Sequence, residues 1–144
     1  MEGMFAQCSS LIELNINDFN TSNVTDMGGI FLNCSSLKEL NLNNFCTNNV
    51  TKMSFMFFGC SSLEELNLDT FNTNNVVDMN YMFYSICFLK ELDLTNFNTD
   101  SVTDMSYMFC GVPVTELNLT KFKTDKVTNM KCMFSGCTKL KELI

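Results

Sequence analysis

The sequence contains no histidine, no arginine and no tryptophan, and its single proline is Pro113. Each absence removes a class of chemistry. Without histidine, the usual general base at neutral pH and the commonest metal ligand are missing. Without arginine, there is no planar fork for phosphate, carboxylate or guanine. A formal charge of −7 also opposes nucleic-acid binding, which depends on neutralising phosphate. The expectation is therefore a non-enzymatic chain with no cofactor, no metal and no nucleic-acid partner. No apolar run reaches the roughly 18 to 20 residues of a membrane-spanning helix, so this segment is not expected to insert into a bilayer. The amino terminus, MEGMFAQC, lacks the basic start and apolar stretch of a secretion signal, and export would require a signal outside these residues.

Charge is unevenly spread. Residues 1–120 carry fourteen acids against three lysines, a balance of −11. Residues 121–144 carry six lysines against Asp125 and Glu142, a balance of +4.

What the chain does contain is one phrase spelled five times. FNTSNVTDM begins at Phe19, FCTNNVTKM at Phe45, FNTNNVVDM at Phe71, FNTDSVTDM at Phe97 and FKTDKVTNM at Phe122. Counted from the Met-Phe pair, the units are residues 4–29, 30–55, 56–81, 82–107 and 108–132, with a half unit at 133–144. Four units have 26 residues and the fifth has 25. No linker separates them, so residues 1–144 read as one domain.

A 26-residue unit is too short to bury a core alone, and neighbours must stack. Stacking places equivalent residues over one another, and several columns stay apolar throughout. They are headed by Phe5, Leu14, Ile16, Phe19, Val24 and Met27. These columns are the expected core. Leu40-Asn41-Leu42 alternates with the period of a strand, whereas Val50, Met53, Met56, Phe57 and Cys60 fall at helical spacing. Each coil is thus expected to hold one short parallel strand, a turn and a short helix.

The motif L-x-x-L-x-L-x-x-F-x-T-x-x-V-T-D-M-x-x-M-F-x-x-C-x-x-L covers residues 4–144 and resembles the leucine-rich repeat of BspA-like surface proteins. The resemblance implies an α/β repeat fold, a leucine-rich-repeat-like right-handed solenoid of about five and a half coils. It further implies a cell-surface or secreted setting and adhesion to a protein or matrix ligand, and it brings no catalytic residues with it. Departures are local: Ile86 and Val112 replace the column cysteine, Lys52 and Asn129 the aspartate, and Val77 the threonine.

Two polar columns are candidate binding faces. Glu13, Glu39, Glu65, Glu91, Glu116 and Glu142 form an unbroken acidic line. It reads either as a solvated face relieved by Lys38, Lys90 and Lys141, or as a stripe for a basic partner or a hard cation such as Ca²⁺. Asn15, Asn41, Asn67, Asp93 and Asn118 lie on the polar side of the strand. They read either as an amide ladder that stabilises stacking or as the ligand-binding surface, which in such solenoids is concave. The threonine column from Thr21 to Thr124 is expected to serve turns, an ice-ordering array being the weaker alternative. Eight cysteines invite disulfide or zinc readings, yet Cys8, Cys34, Cys60 and Cys137 share a column with Ile86 and Val112, which marks a buried free thiol. Cys132 replaces a tyrosine and is expected to be accessible. Sequons stand at Asn20, Asn23, Asn33, Asn49 and Asn118.

Polar caps are also missing from the ends. Met4 and Phe5 at one end, and Phe134, Leu143 and Ile144 at the other, are candidate contacts for head-to-tail self-association if no further repeats cover them.

Overall fold

Residues 26 apart lie over one another. A computed structural model describing residues 1–144 sets six phenylalanines in one continuous stack. Ring centroids are 5.9 Å apart for Phe5 and Phe31, 5.8 Å for each pair from Phe31 to Phe109, and 5.7 Å for Phe109 and Phe134. This stack belongs to an interior of 34 buried apolar residues, which takes in the central members of the expected core columns except Leu66, which is partly exposed. Members at the ends are less covered: Phe5, Leu14, Phe19 and Phe134 pack against the core while partly exposed. The shortened fifth unit is absorbed without a gap. Val112 and Val114 are both buried, in the places of Ile86 and Leu89, with Pro113 bridging them.

The backbone between Met27 and Cys34 explains the stacking and corrects one expectation. Alternate amides leave their own coil: Met27, Gly29, Phe31 and Asn33 donate to the carbonyls of Lys52, Ser54, Met56 and Phe58 at 2.7 to 3.1 Å. The amides between them close turns inside the coil, Ile30 to Met27, Leu32 to Gly29 and Cys34 to Phe31. Gly29 and Asn33, at φ 58° and 56°, occupy the third position of such turns, where a type II turn requires positive φ. The expected short helix is therefore absent, and a chain of turns takes its place. The cause is dimensional. Packed α-helices need roughly 8–10 Å between axes, whereas these coils carry rings less than 6 Å apart. At Gly59 (φ 67°), an added Cβ would collide with Asn33 Oδ1 of the coil before.

The strand expectation also needs correction. Parallel pairing along the Leu-Asn-Leu stretch occurs only between β1 (Glu116–Leu117) and β2 (Glu142–Leu143). Elsewhere the parallel bridges run through a different column, Asp26, Lys52, Asp78, Asp104 and Asn129. Asparagine chemistry diverts the ladder. Asn41 Oδ1 accepts the amide of Asn43 at 3.0 Å, and Asn67 Oδ1 accepts that of Asp69 at 2.8 Å. A local side-chain bond of this kind competes with inter-strand pairing for the same donor.

Threonine laces the opposite side of the turn. Thr21, Thr47, Thr73 and Thr99 are buried. Each hydroxyl donates to the carbonyl, and accepts from the amide, of one residue in the next coil: Cys46, Asn72, Asn98 and Lys123. A buried column cannot order ice, so that alternative falls, and the turn role widens into a bridge between coils.

The column cysteines are free thiols that donate to carbonyls one coil back. Cys34 reaches Phe5, Cys60 reaches Phe31 and Cys137 reaches Phe109, at 2.9 to 3.1 Å. Burial, with the neighbouring Cys34 adding to it, pushes the Cys60 thiol up to about 12. Cys8, Cys87 and Cys132 are exposed. Iodoacetamide at pH 8 should therefore modify those three within minutes and leave Cys34 and Cys60 intact until the chain is denatured, as read by peptide mass mapping. Equal labelling of all eight would contradict this packing.

Candidate functional site

The glutamate column forms an exposed edge. Glu13, Glu39, Glu65, Glu91 and Glu116 all face solvent, as does Glu142. Relief by lysine is confined to one place: Lys90 Nζ lies 2.9 Å from Glu64 and 3.9 Å from Glu65. That ammonium holds the Glu64 carboxyl below its ordinary range. No three histidine, cysteine, aspartate or glutamate side chains converge along it.

Beside the glutamates, Asn15, Asn41, Asn67 and Asp93 are exposed and Asn118 is half-buried. Their oxygens turn back on their own coil, accepting the amides of Asn17, Asn43, Asp69, Thr95 and Thr120 at 2.8 to 3.1 Å. The amide-ladder reading is thereby overturned. The bond from the Thr95 amide also keeps the Asp93 carboxyl below its ordinary range. What recurs is a turn that points one polar head outward per coil, leaving its second lone pair or its amino group free.

Because no strand ladder closes this edge, hollows open between successive coils. One lies between Glu13 and Glu39, the next between Glu39 and Glu65, the third between Glu65 and Glu91, and the fourth between Glu91 and Glu116. Each is rimmed by glutamate and floored by the Asn or Asp column. The candidate face is thus a row of polar indentations in register. It is not the unbroken sheet expected for a concave solenoid wall.

The end residues separate into two kinds. Phe5 and Phe134 are half-buried, each stacked on one inner neighbour. Met4, Leu143 and Ile144 are 51%, 52% and 47% exposed.

A third surface goes unmarked by the column reading. Phe55, Tyr81 and Tyr107 stack at 4.8 and 4.5 Å, and Phe58 and Tyr84 stack beside them at 4.6 Å. All three tyrosines of the chain stand here, half-buried. Their columns also contain Gly29, Leu32, Cys110 and Cys132, so no apolar column announces them. The usable signal is the ring on either side of Met-Phe in FMFF and YMFY, and on one side in YMFC.

The bridging column beneath these rings carries a like-charge pair, Asp78 and Asp104, one coil apart. Burial raises the Asp78 carboxyl above its ordinary value of 3.8; the Asn80 amide opposes this, Asp104 and Asp26 add to it, and Lys52 offsets part of it. A carboxyl raised by folding opposes folding once ionised, and the penalty vanishes below the unfolded value. Asp78→Asn keeps an acceptor for the Asn80 amide, as Asn129 does for Lys131. The variant should melt above the parent at pH 7 and level with it at pH 3, and a lower melting point at pH 7 would contradict the assignment.

Coils of 25 or 26 residues stacked about a shared apolar interior define a repeat protein, and the comparisons agree. The chain belongs to the family described as "Mycoplasma protein of unknown function, DUF285", whose model matches residues 1–92 and 87–144. Among solved structures, it is similar to a leucine-rich cell surface protein from Faecalibacterium prausnitzii A2-165. That similarity is at 25% identity with a TM-score of 0.65, over 99% of this chain and 35% of that one. The chain therefore spans about a third of that protein's length. No curated protein matches it in sequence.

Proposed function

We propose that the chain is a binding module of a surface-exposed leucine-rich-repeat protein, folded as a right-handed solenoid and acting without catalysis. Its ligand is a protein or matrix component engaged along the Glu–Asn edge. The observation that carries this reading is the row of four polar hollows in register, which offers an extended partner equivalent contacts from coil to coil. Repetition matters energetically. One exposed carboxylate contributes little, but several contacts made on one partner act together through effective concentration. The similarity to a leucine-rich cell surface protein of Faecalibacterium supports the location, and the net charge of −7 favours a basic ligand. The test is surface plasmon resonance of the full chain against a panel of extracellular-matrix proteins. Glu39→Lys, Glu65→Lys and Glu91→Lys are combined in one variant, with Thr51→Lys and Thr103→Lys as a control on another edge. Binding lost in the first and kept in the second is expected. Binding unchanged in the first, or no binder in the panel, would count against the proposal.

A second reading rests on the exposure of Leu143, Ile144 and Met4. Where no further coil covers them, these faces would pair head to tail between copies, the lysine-rich last coil meeting the acidic body. Sedimentation velocity should then show the coefficient rising with concentration, and a strict monomer at the highest concentration would remove the idea.

A further inference from the structure

The aromatic rail has two differently finished ends. Phe55, Tyr81 and Tyr107 all occupy the left-handed backbone region, at φ 58°, 56° and 57°, in the position where the preceding coil has Gly29. Bulky residues are outliers there, while glycine fits without strain, so three consecutive rings at such a position ask for a reason outside backbone geometry. At the carboxyl-terminal end, the Lys131 ammonium lies 5.9 Å from the centroid of the Tyr107 ring. The molecule itself thus seats a cation on this rail.

At the amino-terminal end nothing does so. Gly29 contributes no side chain, and the Phe55 ring becomes one wall of a hollow of about 360 Å³ floored by Gly28 and Gly29. Three carboxylates, Glu2, Asp26 and Asp78, stand round it against one ammonium, Lys52. Lys52 is drawn to Asp26 at 3.4 Å, and just outside the lining the Met1 ammonium donates to the Asp26 carbonyl at 2.8 Å, so three carboxylates face two ammoniums and one negative charge is left in excess. An aromatic face attracts cations through its quadrupole, and carboxylates beside it strengthen the preference. A neutral sugar would use the ring but gain nothing from the surplus negative charge.

We infer that this hollow is a site for a lysine side chain of a partner protein, its ammonium set over the Phe55 ring and against the Asp78 and Glu2 carboxylates. The site lies on a different edge of the coils from the glutamate face and does not depend on it.

The experiment is an NMR titration of the isotopically labelled full chain with N-acetyl-lysine methylamide. The uncharged N-acetyl-norleucine methylamide and methyl β-glucoside serve as comparison ligands. Saturable shifts at Phe55, Ala6 and Leu32 are expected with the lysine probe alone, weakening as salt is added. Phe55→Gly suits the backbone at that position, and Phe55→Leu keeps an apolar side chain while removing the ring. Each should weaken the lysine probe by roughly three- to fivefold, the scale of one exposed ring–cation contact. The combined Glu39, Glu65 and Glu91 reversal should leave these shifts in place. The absence of saturable shifts, an equal response to norleucine, or a preference for the glucoside would each overturn the inference.

Discussion

Replacing Phe83 with alanine should cost about 3–5 kcal/mol, the range for deleting a fully buried aromatic ring, and lower the melting temperature by roughly 10 °C or more. Phe83 has no exposed surface and stacks between Phe57 and Phe109, at 5.8 Å on each side and within 10° of parallel. Its loss leaves a cavity that two neighbours line and that neither can fill, because the coil-to-coil bonds on either side fix their positions. Since each coil is stabilised mainly by its neighbours, the damage should spread to amide protection in the coils on both sides. Phe134→Ala provides the comparison. That ring is half-buried and stacked on Phe109 alone, so about 1–2 kcal/mol is expected, in line with its smaller buried area. Chemical denaturation of the two variants checks the ratio. Equal losses would mean that the phenylalanine column is not continuous.

Thr73→Val should cost about 2–3 kcal/mol although it changes the volume of the side chain hardly at all. The Thr73 hydroxyl donates to the Asn98 carbonyl and accepts from the Asn98 amide, both at 2.8 Å, in a buried setting. Valine removes both bonds and leaves a donor and an acceptor of the next coil without partners. Desolvated polar groups left unpaired are penalised more heavily than a hydrogen bond ordinarily stabilises. Thr73→Ser keeps the hydroxyl and should recover much of the loss. Thr124, in the same column, is exposed, so Thr124→Val should fall within about 0.5 kcal/mol of the parent. A neutral Thr73→Val would contradict the bridging role.

The interior was legible in the sequence and the coil's backbone was not, for definite reasons. Columns such as Phe31-Phe57-Phe83 could be read because stacking imposes a period that composition alone cannot imitate. The helix expected from Val50, Met53, Met56, Phe57 and Cys60 failed because consecutive turns, each closed by a bond three residues back, reproduce the same spacing. Paired strands stand roughly 4.8 Å apart, so a helix about 10 Å across fits such coils only where curvature fans them open on that side, and the hydrophobic pattern does not register curvature. The strand of Leu40-Asn41-Leu42 failed where Asn41 took the Asn43 amide for itself. That competition is invisible in a hydrophobic pattern, which registers which side faces inward and says nothing of where an amide points.

The candidate face followed the same division. Exposure of Glu39, Glu65 and Asn67 came from the column pattern, whereas the hollows between them came from the missing ladder. The aromatic rail lay in plain view in YMFY, but rings flanking a core Met-Phe pair resemble more core. The turn geometry places Tyr81 and Tyr84 on the surface side: the Tyr81 amide leaves the coil for the Ser106 carbonyl, and the Tyr84 amide closes back on the Tyr81 carbonyl, which sets the two rings side by side.

The stacking of every twenty-sixth residue is tested most directly by nuclear Overhauser contacts among the phenylalanine rings. With ring-labelled chain, cross-peaks should link Phe57 to Phe31 and to Phe83, whose centroids lie 5.8 Å away on either side. If Phe57 showed contacts only to residues within its own coil, the stacked array, the row of hollows and the rail would all be wrong together.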